Sequence, residues 1–157
     1  MKLSALDKEI LKMILAPHDG KIICSKEIAK RLSVPATTVQ RRRKRLENED
    51  ILNTSYCINL KRFGWRHVDF LISTQNGKTM TITKRLEKMK QVVSVTRSIG
   101  QPTIDLKVET ILVDNEEILN MLETIKSMDG VRDAIWSESI QRVVQKAAVP
   151  EHLIDCI

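Results

Sequence analysis

The sequence predicts an α+β chain in two parts, a helical head and a body with the element order βαββαβ. Three observations predict it. Apolar residues recur at helical spacing through residues 4–49. From His67 onward, period-2 alternation and helical spacing take turns in a fixed order. The charge divides at the same place: residues 1–66 hold 15 Lys+Arg against 7 Asp+Glu, a net of +8, and residues 67–157 hold 11 against 13, a net of −2. A basic head on a near-neutral body points to a head that meets a polyanion.

In the head, Ser4 and Asp7 form a capping-box pattern at a helix start. Leu6, Ile10, Met13 and Ile14 then share one face, and Pro17, Asp19 and Gly20 end the helix. Ser25 is placed to cap a second helix, with Ile28, Ala29 and Leu32 on its inner face. Ser33-Val34-Pro35 is a tight connector, and Pro35 suits the first turn of a third helix over residues 36–49. Two helices joined by a short turn and preceded by a third make a helix-turn-helix.

The third helix carries the main functional signal. At about 100° per residue, Val39 and Leu46 point inward while Thr37, Arg41, Lys44 and Asn48 point outward, flanked by Thr38, Gln40 and Arg45. In such a motif the start of the second helix meets base edges and cations meet phosphates. Thr37, Thr38, Gln40 and Arg41 are the expected base-reading residues, since Gln pairs with adenine and Arg with guanine in the major groove. Arg42, Lys44 and Arg45 are expected at phosphates. A solvated basic face is the bland alternative for the run Arg41–Arg45, weighed against its place on the second helix of the pair.

The segments LDKEILKMIL, SKEIAKRLSVPATTVQRRRKRLENEDIL and INLKRFGW resemble the N-terminal half of the Lrp/AsnC family of transcriptional regulators. The matching positions are Leu6-Asp7, then Val39, Arg42 and Leu46 in the third helix, Ile51-Leu52, and Leu60 with Gly64. Two positions depart from the family pattern: Arg43 stands where an aliphatic residue is usual, and Asp50 where glycine is usual. The stem of Arg43 is expected to pack while its head reaches out, and Asp50 to adopt a left-handed turn. The resemblance implies a winged helix-turn-helix followed by a ferredoxin-like βαββαβ domain that dimerises and assembles further, to tetramers or octamers. It also implies an amino-acid effector near the turn between the second and third strands, where a Gly-x-x-Asp pattern is common. Here Gly100 and Asp105 are the corresponding residues, with the acid two positions later than in that pattern.

Residues 51–65 read as an extended segment anchored by Ile51, Tyr56 and Ile58. In the body, Val68, Phe70 and Ile72 alternate with polar residues, and Asn76-Gly77 makes a turn. Ile82, Leu86 and Met89 share a helix face, Val93 and Val95 lead a second strand, and Ile104, Leu106 and Val108 alternate in a third. Asp114 and Glu117 open another helix, with Ile118, Leu122 and Ile125 inward, and a last strand follows Gly130. Four antiparallel strands with two helices on one face result. The other face is expected to expose Leu71, Val92, Ile111, Val113, Ala134 and Trp136, an apolar patch for a second subunit. The expected divisions are 1–52 for the head, 53–66 for a linker strand, 67–144 for the dimerisation and effector domain, and 145–157 for a tail. Pro150 is placed to start a short helix in that tail.

Other function classes find little support. His18, His67 and His152 are isolated, Gly-rich phosphate loops are absent, and neither catalytic nor metal-ligand spacing appears, so no enzyme, metal or cofactor is predicted. No apolar run reaches the roughly 18 residues that span a bilayer. The charged N-terminus argues against a secretory signal. Three distant cysteines point to reduced thiols in a cytoplasmic protein, with Cys57 read as a buried thiol. Double-stranded DNA and a second copy of the chain are the expected partners. An RNA-binding module would need stacking aromatics on its central strands, which the third strand lacks. A small-molecule sensor with an incidental basic head is the other rival.

Overall fold

A computed structural model describes residues 3–18, 22–98, 103–140, 143–144 and 146–157. The chain divides into two compact units, residues 1–56 with 142–157, and residues 57–141.

The first unit contains α1 (Ala5–Leu15), α2 (Ser25–Leu32), α3 (Ala36–Asn48) and, from the far end of the chain, α6 (Glu151–Asp155). Ser4 caps α1 through a full capping box with Asp7. For α2 the expected cap is displaced by one residue. Ser25 is the first helical residue, Cys24 holds the cap position, and no side chain accepts a hydrogen bond there. Pro35 precedes α3 as its cap, so its missing N–H leaves nothing unpaired.

Two left-handed residues shape this unit. Ser33, at φ 54°, reverses the chain between α2 and α3, and the Val34 amide returns to the carbonyl of Ala29 at 3.1 Å. Asp50, also at φ 54°, ends α3 in the conformation expected for it, and the amides of Ile51 and Leu52 both donate to Leu46. One apolar cluster joins Ile10, Ile23, Ile28, Ala29 and Val39. A second joins Leu3, Leu11, Leu46 and Leu52 with Ile154 of α6.

The segment between the units departs from expectation. No strand forms over 53–65, and Leu60–Phe63 makes a 3₁₀ turn closed by Gly64 at φ 70°. Tyr56 and Ile58, expected as anchors, are 91% and 63% exposed. Cys57 is exposed as well, not buried. Among the described residues no strand pairs with residues 53–59, and an extended segment without a neighbouring strand forms no sheet.

In the second unit, β1 (Arg66–Thr74), α4 (Thr79–Leu86), β2 (Val92–Arg97), β3 (Leu106–Leu112), α5 (Asn115–Lys126) and β4 (Val131–Glu138) follow the predicted βαββαβ order. The sheet is antiparallel with strand order β2-β3-β1-β4. Val68, Phe70, Ile72, Leu106, Val108, Leu112 and Ala134 face Ile82, Leu86, Ile118, Met121 and Ile125 across one core. Burying such side chains contributes about 1.5–3 kcal/mol each. Asp114 caps α5 by accepting from the Glu117 amide at 2.8 Å.

The opposite face of this sheet is more polar than the sequence predicts. Ala134 pairs with Ile72 and is buried in the core. Trp136 stands opposite Phe70, on the helix side, and Val92 packs against the core. Leu71, Ile111 and Ile135 remain as apolar members of the face, with Ile135 52% exposed. Around them lie His67, Asp69, Lys107 and Glu109. A shift of one residue in register moves a whole set to the other face.

Candidate nucleic-acid interface

The basic run on α3 divides into two groups. Arg41 and Lys44 are exposed, and neither makes an ion pair among the described residues. They share the outward side of α3 with Thr37, Gln40 and Asn48, all exposed, and with half-buried Thr38 at its flank. Five of the seven predicted contact residues, Thr37, Thr38, Gln40, Arg41 and Lys44, therefore line one accessible helix surface. Val39 and Leu46, fully buried on the inner side, fix that orientation.

The other three cations are engaged within the unit. Arg43 packs its stem, half-buried, and its Nε donates to Glu47 at 3.0 Å. Arg42 and Arg45 both reach α1. Arg42 Nη1 donates to Asp7 Oδ1 at 3.0 Å and to Ser4 Oγ at 2.7 Å, and Arg45 Nη2 donates to Asp7 Oδ2 at 2.7 Å. These geometries correct the expectation that Arg42 stands ready for a phosphate. Its side chain is only 26% exposed, and its Nε is buried with no partner among the described residues. Arg45 is 47% exposed and also lies 3.9 Å from Glu49, so it is a phosphate candidate only in part.

Asp7 is the residue that the sequence pattern undervalued. It is fully buried, and a buried carboxylate is tolerated only when its oxygens are paired and hydrogen-bonded. Burial opposes its ionisation, but hydrogen bonds from Ser4 and Arg42, with the nearby Arg42 charge, hold its pKa below the usual 3.8. The capping box revealed its local role. The signal for its second role was Leu6-Asp7 in one helix and two arginines three residues apart in another.

In the second unit, the effector residues read from the sequence are not brought together by anything described. Gly100 lies outside the described residues. The Asp105 carboxylate is occupied within the fold: the Thr74 amide donates to it at 2.6 Å and the Thr74 hydroxyl at 3.0 Å. That acid therefore ties the end of β1 to the start of β3. A cavity of about 210 Å³ lies beside it, lined by Leu71, Ser73, Thr103, Ile104, Asp133 and Ile135.

His67, Asp69 and Glu109 bring their ligating atoms within 4.8 Å of one another, a spacing that a metal ion accepts. The Lys107 ammonium already lies 3.1 Å from both Asp69 Oδ2 and Glu109 Oε1 and supplies their countercharge. Ser94 donates to the other Glu109 oxygen at 2.7 Å. A metal would have to displace Lys107, so these residues make a poor metal site.

Comparison with known proteins supports the helix geometry. Residues 3–53 match the family model for winged helix-turn-helix DNA-binding domains. The HTH-type transcriptional regulator FL11 of Pyrococcus furiosus is 28% identical over 131 residues, covering 82% of this chain and 83% of the relative. Its namesake in Pyrococcus horikoshii is 27% identical over the same shares. The structure of E. coli AsnC superposes with a TM-score of 0.71 at 15% identity, over 96% of this chain and 100% of that one.

The fold is that of the Lrp/AsnC regulators.

A further structure of this fold is the transcriptional regulator NMB0573 of Neisseria meningitidis, determined as a complex with L-Met. It gives a TM-score of 0.74 at 20% identity, over 97% of this chain and 99% of that one. The matched residues 3–53 span α1, α2 and α3. No helix among the described residues is long and apolar enough to cross a membrane.

Proposed function

We propose that this chain is a sequence-specific DNA-binding transcriptional regulator that sets α3 in the major groove. The observation that carries the reading is the exposed side of α3, where Thr37, Gln40, Arg41 and Lys44 stand together with no internal ion partner among the described residues. Thr37, Thr38, Gln40 and Arg41 meet base edges. Lys44, with Arg45 in part, meets phosphates. Relatives named as transcriptional regulators across four-fifths of the chain favour this reading over an enzyme or an RNA-binding module.

Two copies bind together. Leu71, Ile111 and Ile135 lie on the sheet face that α4 and α5 leave uncovered, and a second copy shields them. Pairing serves the DNA reading, because twin recognition helices match half-sites about 34 Å apart. An amino acid modulates binding, as the L-Met complex of the Neisseria regulator supports. The cavity beside Ile104 and Asp133 is the better seat for it than Asp105, whose oxygens are taken by Thr74.

Selection of bound duplexes from a random pool tests the function. The reading requires a recurrent sequence with two related half-sites. Recovery of unrelated sequences, with affinity set by salt alone, sinks it.

A further inference from the structure

We propose that Asp7 is a positioning residue of the DNA interface: it locks Arg42 against α1 and holds Arg45 as a cation shared between the protein and a DNA phosphate. This inference rests on the reading of α3 as the recognition helix.

The two arginines sit three residues apart on α3 and grip one carboxylate on α1. Two anchors on successive turns resist rotation of α3 about its own axis more than one anchor does. That rotation decides whether Thr37, Gln40 and Arg41 or their neighbours face a duplex. Asp7 is itself held by the Ser4 amide at 3.1 Å, so the grip is fixed at the start of α1.

The two anchors are unequal. Arg42 contacts both Asp7 and Ser4 from one nitrogen, is 26% exposed, and keeps its Nε buried. Arg45 holds Asp7 through one nitrogen, is 47% exposed, and flanks the outward side of α3 beside Arg41. When a phosphate approaches, Arg45 has the freedom to turn toward it while Arg42 and Ser4 keep the buried Asp7 charge compensated. Asp7 thus competes with DNA for one cation and denies DNA the other. That restraint falls on non-specific binding, which depends on the number of available cations.

The test measures affinity by fluorescence anisotropy across a salt series. It uses a duplex recovered by the intact protein from a random pool, and a random-sequence duplex of the same length. Asp7→Asn keeps the shape and removes the charge. It should tighten binding to the random duplex and steepen the salt dependence by about one phosphate contact, a slope change near 0.9. Discrimination between the two duplexes should fall by about tenfold. Arg45→Gln should flatten the slope by about the same amount at an unchanged melting temperature. Arg42→Gln should lower the melting temperature and leave the slope alone.

An Asp7→Asn protein that loses thermal stability and both affinities in proportion, with slope and discrimination unchanged, overturns the proposal. If that variant fails to fold, Arg45→Gln decides: an unchanged slope overturns it equally. The Arg41→Ala/Lys44→Ala protein separates the two levels. Unchanged DNA binding there refutes the recognition-helix reading itself, whereas weakened binding leaves any failure with Asp7 alone.

Discussion

The amide of Ala148 donates to the carbonyl of Leu15 across 3.0 Å, closing the last turn of α1 with a residue from the far end of the chain. The final carbonyls of a helix have no partner within it, so an external donor there stabilises the end. Two further contacts run beside it. Lys8 Nζ donates to the Asp155 carbonyl at 2.7 Å, and Lys12 Nζ lies 2.7 Å from the Asp155 carboxylate. Ile154, 2% exposed, completes the cluster of Leu3, Leu11, Leu46 and Leu52. The tail is therefore part of the helical unit and not an appendage.

It follows that Ile154→Ala destabilises this unit by about 2–4 kcal/mol, the cost of a cavity in a packed core. Chemical denaturation followed by helical circular dichroism checks it. A loss below about 0.5 kcal/mol, the range of ordinary surface changes, would show the tail to be loosely attached.

If two copies pair through the uncovered sheet face, as proposed, a charged residue there should separate them. Ile135→Asp places a carboxylate at a half-exposed apolar position that a partner would bury, near Leu71 and opposite it in register. Burying an unpaired charge there is strongly unfavourable. Light scattering coupled to size exclusion should show a fall to the monomer mass, with the helical signal unchanged. An unchanged mass would move the interface elsewhere.

Acid should loosen the tie between β1 and β3. The Asp105 pKa is lowered chiefly by the Thr74 amide, with the Thr74 hydroxyl, Arg132 and Arg97 adding to it against partial burial. A carboxylate with a lowered folded pKa contributes stability that is present above its unfolded value, near 3.8, and is lost as pH falls through the folded value. Asp105→Asn should therefore be less stable than the parent at neutral pH, and the two should converge as pH drops below about 4. Urea midpoints across that range measure it. Parallel curves would mean that the bond contributes nothing net.

Much of this fold is legible in the sequence because burial follows period. Val39 and Leu46 in α3, and Val68, Phe70 and Ile72 in β1, occupy the faces that their spacing assigns. The parity of β4 was not legible. Ala134 and Trp136 share the register side of Ile72 and Phe70, and only the pairing with β1 reveals this. The basic run carries the same ambiguity at the site. Five neighbouring cations look alike in composition, and the choice of Arg42 and Arg45 for Asp7 depends on contacts between residues 35 and 38 positions apart. Asp7 announced its cap because a cap is local. Its hold on α3 is long-range, and so is the docking of Ile154.

Partition of the cations also predicts the salt response. Arg41→Ala/Lys44→Ala should flatten the dependence of log affinity on log salt by about 0.9, the one phosphate contact of Lys44, and weaken binding to the selected duplex further through the lost base contact of Arg41, while leaving thermal stability within about 0.5 kcal/mol. Anisotropy titrations at four salt concentrations give the slope. An unchanged slope would remove Lys44 from the phosphate contacts, and unchanged affinity for the selected duplex would remove Arg41 from the base contacts.

The central claim is that the outward side of α3 enters the groove. Titrating the labelled protein with its selected duplex and following backbone amide shifts by nuclear magnetic resonance tests it directly. The largest changes should fall on Thr37, Thr38, Gln40, Arg41 and Lys44. Changes concentrated on the sheet of residues 66–138, with α3 silent, would contradict it.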